Sequence, residues 1–227
     1  IFGSPGMVEQ DDNSDYLHNL FHGVARQVTN RNAPSVIGAA FFESLLWDMS
    51  AGPVFEDADG NVVLSQSAAL ESQAVLPVTS SVEMAHAERG WDQITKKLGS
   101  VRPLALATDI PASLIDFLGD SPNYHALFES AFGTPEITRE RIAMAIASYE
   151  RVLIADQSPF DLGTMSPAES RGLLVFLTEG NCSACHRSSN DLFSDGRLRS
   201  LGLPNHVRFV KTPSLRNVAL TRPYFHD

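Results

Sequence analysis

Two thiols and an imidazole stand close together in "EGNCSACHRSSN" (179–190). They are Cys182, Cys185 and His186, and the chain of 227 residues has no other cysteine. A Cys-x-x-Cys-His run can serve four chemistries. A thioredoxin-like dithiol follows a strand and opens a helix; here a helical pattern ends before the motif and a Ser/Asn-rich stretch follows it. A zinc site needs two further soft ligands at matching spacing, yet there is no third cysteine and the other six of the 7 histidines are scattered singly. A disulfide between residues this close constrains almost nothing in the unfolded chain. Covalent attachment of haem c accounts for every position: the two thiols add to the two vinyl groups of the porphyrin, and the following histidine ligates the iron. The motif therefore reads as one haem c site, with thioethers at Cys182 and Cys185 and His186 on the iron. Such attachment takes place outside the cytoplasm, so a periplasmic location is expected. Sparing cysteine use suits an oxidising compartment.

The elements that must hold this motif read as mainly α. Ser166-Pro167-Ala168-Glu169 is a capping box with proline at the first helical position, leading into "RGLLVFL". Gly180 stops that helix just before the cysteines. Over 137–155, Ile142, Ile146, Tyr149 and Leu153 recur at helical spacing and predict one apolar stripe on the core side. "SVIGAAFFESLLWD" behind the Asn32-Ala33-Pro34 turn predicts a buried helix ending near Trp47. "AGPVFEDADGNVV" (51–63) predicts a hairpin-like excursion, because Gly-Pro and Asp-Gly breakers separate short apolar runs. Its "EDADGN" lacks the spacing of an EF-hand loop and reads as a turn. Helical patterns return at 66–75 and 83–98, and 101–133 reads as short helices divided by prolines. Residues 1–30 read as loop with one short helix near Tyr16–Ala25, and the chain after His186 reads as loop.

Composition narrows the function further. A net charge of −10 with no basic patch argues against a nucleic-acid binder. No apolar run reaches the roughly 18 residues that span a bilayer. The chain opens on Ile1 rather than Met and closes on "YFHD" without a polar tail, so it reads as a processed or truncated piece.

"RNAPSVIGAAFFESLLWD", "LESQAVLPVTSSVEM", "IAMAIASYERVLIADQSPFD", "SPAESRGLLVFLTEGNCSACH" and "KTPSLRNVALTRPYFHD" together resemble the di-haem cytochrome c peroxidase family. That family includes the di-haem enzyme that matures the tryptophylquinone cofactor of methylamine dehydrogenase. The resemblance runs from about residue 28 to the end. It implies two cytochrome c-like helical lobes with long loops and few strands, here 1–134 (peroxidatic, with the distal pocket) and 135–227 (electron-donating, with the haem motif). It also implies a calcium ion between the lobes. Trp47 matches the tryptophan that relays electrons between the haems. Gln73, Pro77 and Glu83 match the distal pocket above the peroxide-reacting iron, where a carboxylate screened from water can move a proton between the two peroxide oxygens. By residue type alone, Trp47 is a core aromatic and Glu83 a helix-start acid favoured by the dipole; the resemblance supplies their roles. Calcium falls to the Asn32 side chain and the carbonyls of Thr221 and Pro223, a donor set that suits a hard cation. Arg216 either pairs with a haem propionate or braces its loop.

The resemblance further implies that hydrogen peroxide is reduced to water with electrons from a small cytochrome c or cupredoxin. Members are often homodimers, although no residue here marks a dimer face. One haem motif stands in the chain where the family has two. The N-terminal motif is therefore expected before Ile1, and the second axial ligand of the C-terminal haem, a Met or Tyr, after Asp227. The five methionines do not sit where that ligand is expected. His22 matches only roughly a histidine that caps the peroxidatic haem in some members, and shares a helical face with His18; it is left out of the site. The alternatives are a related di-haem oxidase acting on a protein or organic substrate, and a mono-haem electron carrier.

Overall fold

Small residues decide where the helices of this chain meet. The computed structural model describes residues 32–80, 82–84, 89–119, 122–190, 192–202, 209–222 and 224; the expected helix near Tyr16–Ala25, His18 and His22 lie outside them. Among the described residues the order is β1 (Phe55–Glu56), β2 (Val62–Leu64), α1 (Ala69–Val75), α2 (Trp91–Ser100), α3 (Ala112–Leu118), α4 (Tyr124–Phe132), α5 (Arg139–Glu150), α6 (Pro167–Leu177), β3 (Leu198–Arg199) and β4 (Val210–Lys211). The fold is mostly helical, with two short antiparallel pairs, β1 with β2 and β3 with β4. The first pair is the excursion expected over 51–63, turned at Asp57–Gly60, where Gly60 takes φ 83° and Asp57 Oδ1 accepts the Asp59 and Asn61 amides.

The core is the contact of α1 with α5. Ala143 and Ala147, one turn apart and fully buried, let α5 lie close against Ala69, Leu70, Ala74 and Val75 of α1. Phe55 from β1 closes one side at 1% exposure. Arg139 at the start of α5 donates to the Glu56 carbonyl at 2.7 Å and lies over the Phe55 and Trp91 rings. Arg151 grips Glu71 at both oxygens, 2.8 and 2.9 Å.

Three expectations change. The core side of α5 is its alanine face, not the stripe of Ile142, Ile146, Tyr149 and Leu153: Tyr149 is 66% exposed and Ile146 36%. Side chains of that bulk cannot enter so close a helix contact. The segment 35–47 is not an α-helix but a loop with one 3-10 turn, Ala39–Phe41. Left-handed backbone at Gly38 (φ 74°), Leu46 (φ 65°) and Met49 (φ 62°) interrupts it, and the Gly38 amide bonds the Leu153 carbonyl instead of a helical neighbour. The stretch after His186 is not all loop, because β3 and β4 pair within it.

Candidate haem site

The capping box at the start of α6 forms as expected. Ser166 Oγ accepts the Glu169 amide at 3.3 Å, and the Ser166 amide donates to Glu169 Oε2 at 2.6 Å. Hydrogen bonding from the Ser166 side chain, and then from its amide, holds the Glu169 carboxyl below its ordinary value. At the other end the helix unwinds at Thr178, and the Gly180 amide returns to the Val175 carbonyl at 2.8 Å. The left-handed residue of the stop is Asn181 (φ 49°), one position beyond the expected glycine. A single 3-10 turn, Cys182–Ala184, follows directly, and the His186 amide bonds the Cys182 carbonyl at 2.9 Å. Both thiols are therefore offered on one turn; neither is in a disulfide, and Cys182 is exposed.

His186 is oriented by Nδ1, which lies 2.8 Å from the Phe193 carbonyl. A carbonyl only accepts, so Nδ1 carries the proton and Nε2 keeps a lone pair for a metal. This is the outer-shell bond that fixes the tautomer and ring orientation of a ligating histidine. Phe193 itself has φ 50°, a conformation that costs an aromatic residue about 1–3 kcal/mol and persists only where its surroundings demand it. Those surroundings are the edges of Phe160 (4.9 Å) and Phe176 (6.2 Å) and the Arg216 guanidinium (5.8 Å).

A cavity of ≈ 620 Å³ opens beside this aromatic group, walled by Ile154–Ser158, Phe160, Leu173, Phe176, Phe193 and Leu215–Asn217. A neighbouring one of ≈ 780 Å³ extends to Gly38 and Phe41 and shares Ile154–Asp156, Phe160 and Arg216. Both fall in the size range of cofactor sites. No residue of α6 is buried, and Leu174, Val175 and Leu177 are 60, 49 and 44% exposed. An apolar helix face beside paired free thiols and an Nε2 lone pair fits a covalently held haem c.

Arg216 is a wall residue. Its Nη1 donates to the Ala155 carbonyl (2.6 Å) and to Asp161 Oδ2 (3.0 Å), and Nη2 to Asp161 Oδ1 (2.7 Å). The Asp161 carboxyl is held far below the usual carboxylate range by Arg216 first and then by Ser158. Of the two roles read for Arg216, this geometry serves the bracing of its loop.

Gln73, Pro77 and Glu83 are brought onto one continuous run. Gln73 lies in the last turn of α1, Pro77 opens a 3-10 turn over Pro77–Thr79, and the Pro77 carbonyl accepts the Ser80 and Met84 amides. Glu83 follows in a turn, its amide on the Ser80 carbonyl at 3.0 Å, and all three side chains are half-buried. Trp47 is half-buried on the 35–47 loop, its carbonyl accepting the Lys211 amide at 2.7 Å. Lys211 places its ammonium 3.8 Å over the Phe42 ring, and burial lowers its pKa to about 8. Nothing in the residue types around 42–47 announces that contact. Of the residues expected to bind calcium, Asn32 is half-buried and Thr221 exposed, while Pro223 lies outside the described residues. Among the described residues no group of three His, Cys, Asp or Glu could hold a metal ion, and no helix is long and apolar enough to cross a membrane.

A mostly helical chain with a Cys-x-x-Cys-His turn and a histidine tied at Nδ1 has the features of a c-type cytochrome. The family model for di-haem cytochrome c peroxidase matches residues 9–166, and the chain belongs to that family. The Cys182–His186 motif lies beyond the matched span. Methylamine utilization protein MauG of Methylophilus methylotrophus is 32% identical over 225 residues, 89% of this chain and 56% of the relative. Cytochrome c551 peroxidase of Pseudomonas aeruginosa is 29% identical over 226 residues, 87% of this chain and 54% of the relative. The chain thus spans about half the length of these curated relatives. A crystal structure of a MauG-like protein associated with microbial copper homeostasis shares the fold, with a TM-score of 0.57 at 21% identity over 97% of this chain and 61% of that one.

Proposed function

We propose that this chain is part of a periplasmic di-haem c-type peroxidase that reduces hydrogen peroxide to water. The observation that carries the reading is His186, with Nδ1 bonded to the Phe193 carbonyl and Nε2 left for iron, on the turn that bears two free thiols. Family membership supports haem and peroxidase chemistry. Haem c held at Cys182 and Cys185 would supply a one-electron carrier. The protein's own residues do the rest. His186 orients the group, and Trp47 passes electrons from the 135–227 lobe towards the 1–134 lobe. Glu83 takes a proton from the inner peroxide oxygen and returns it to the outer one. Gln73 orients the distal water or ligand, with Pro77 shaping the pocket. Two electrons from a small cytochrome or cupredoxin and two protons complete the conversion of one peroxide to two waters. Asn32, Thr221 and Pro223 hold calcium between the lobes.

Expression with c-type maturation tests the attachment site: intact mass and a reduced haemochrome spectrum should show one covalent haem on this chain. Free or disulfide-bonded Cys182 and Cys185 would remove the basis of the reading. In the intact protein Glu83→Gln should abolish peroxide turnover while the haem spectra survive. A second reading, an oxidase acting on a protein or organic substrate, is favoured by the likeness to the MauG proteins. The second axial ligand in the intact protein separates the two, Tyr for the oxidase and Met for the peroxidase.

A further inference from the structure

His186 and Trp47, far apart in sequence, are joined by three hydrogen bonds linked through short covalent steps. His186 Nδ1 donates to the Phe193 carbonyl at 2.8 Å. The next residue, Ser194, is 1% exposed and donates its hydroxyl to the Thr212 carbonyl at 2.6 Å. The residue before Thr212 is Lys211, whose amide donates to the Trp47 carbonyl at 2.7 Å. Short covalent steps along the backbone link these bonds. The Gly196 amide donates to Ser194 Oγ at 3.0 Å and so turns the hydroxyl hydrogen towards Thr212. Thr212 is buried at 4% exposure. Both ends are clamped, Phe193 by its aromatic neighbours and Lys211 by its ammonium on Phe42.

Ser194 is the side chain that ties the backbone run from Phe193 to the run from Lys211 in this set; the Thr212 amide and hydroxyl, both on the Arg197 carbonyl, tie the same two runs one step further on. We propose that Ser194 is a positioning residue for electron transfer, its hydroxyl holding the ligand His186 and the relay Trp47 at a fixed separation. The proposal rests on the reading of His186 as iron ligand and Trp47 as relay. Tunnelling falls steeply with distance, so a joint that stops two chain segments from breathing apart acts directly on the rate. The bonds place no demand on the pocket around Glu83, so the effect is confined to electron delivery.

The test uses the intact holoprotein. After rapid reduction at the C-terminal haem, the rate of electron arrival at the N-terminal haem is measured for Ser194→Ala, Ser194→Thr, Trp47→Phe and Asn123→Ala. Asn123 caps α4 away from this set and serves as a destabilised control. Midpoint potentials and hydrogen exchange at the Lys211 and Gly196 amides are recorded alongside. The expected result is that Ser194→Ala slows transfer severalfold with both potentials unchanged and the two amides exchanging faster, while Ser194→Thr, which keeps the hydroxyl, restores the rate. If Ser194→Ala does not accumulate, Ser194→Cys, a weaker donor of similar shape, is read in its place once its mass confirms two thioethers. A wild-type rate in the Ala or Cys variant, or slowing no greater than in Asn123→Ala, overturns the proposal when Trp47→Phe is slow. A wild-type rate in Trp47→Phe itself overturns the relay reading instead.

Discussion

Replacing Asp161 by Asn removes one charge from the wall of the second cavity, beside Arg216, which lines both, and changes almost no volume. Asp161 accepts from the Ser158 amide (2.9 Å), Ser158 Oγ (2.6 Å) and both terminal nitrogens of Arg216. Each side chain of the ion pair is 12% exposed. Exposed pairs contribute under about 1 kcal/mol, whereas breaking a fully buried pair costs about 3–5 kcal/mol through the charge left behind. Arg216 retains the Ala155 carbonyl and both side chains keep some exposure, so the loss sits between these limits, at about 2–3 kcal/mol. Thermal unfolding of the holoprotein, followed by far-UV circular dichroism, should then show Tm lower by about 5–10 °C. Arg216→Met and the double variant complete a cycle, in which the two losses should overlap by at least about 1 kcal/mol. Losses that simply add to within about 0.5 kcal/mol would show that the fork does not hold this wall.

The pH dependence follows from the direction of the shift. Arg216 and Ser158 hold the Asp161 carboxyl below its ordinary 3.8 in the fold. The stabilisation is therefore fully present above that ordinary value and is lost as pH falls through the lower folded one. Between about pH 5 and 8 the difference between wild type and Asp161→Asn should stay constant, and it should shrink only in strong acid. A difference that grows across the neutral range would point to another titrating group.

Three further outcomes are expected. Ser166→Ala removes the cap of α6 and should cost about 1 kcal/mol, with Cys182 and Cys185 alkylated faster in the haem-free chain as the preceding helix frays. Glu150 is 7% exposed, its Oε2 has no hydrogen-bond partner, and burial raises its carboxyl above the ordinary 4.5. The fold therefore favours its protonated form, and stability falls as pH rises above the ordinary value. Glu150→Gln should be more stable than wild type at pH 7 by about 1 kcal/mol, the gap closing towards pH 4 in thermal melts. Lys211, lowered to about 8 by burial, should titrate near 8 when methylated lysines are followed by NMR; a value near 10.5 would place its ammonium in water.

The Ser166 capping box ahead of the Cys-x-x-Cys-His run was legible because it is a local signal, whereas the stop of α6 falls at Asn181, one position past the expected Gly180. The hairpin over 51–63 was legible for the same reason. What failed was any reading that depended on who sits opposite. The stripe from Ile142 to Leu153 is a sound helical pattern, yet α5 meets α1 through Ala143 and Ala147, because the closeness of approach selects the small face. The 35–47 segment has a helical composition and is held open by long-range bonds, Gly38 to Leu153 and Lys211 to Trp47.

The stretch after His186 looked featureless because backbone carbonyls do its work. Phe193, Thr212 and Trp47 each take part in the set through C=O, a group every residue carries. Between His186 and Trp47 the joint at Ser194 is made by a side chain, and a serine in a loop is ordinarily solvated. Its 1% exposure separates it from the other serines of the segment. A buried hydroxyl with one donor above it and one acceptor below has a single orientation open to it. That makes Ser194 the place where a one-atom change should be felt at both His186 and Trp47.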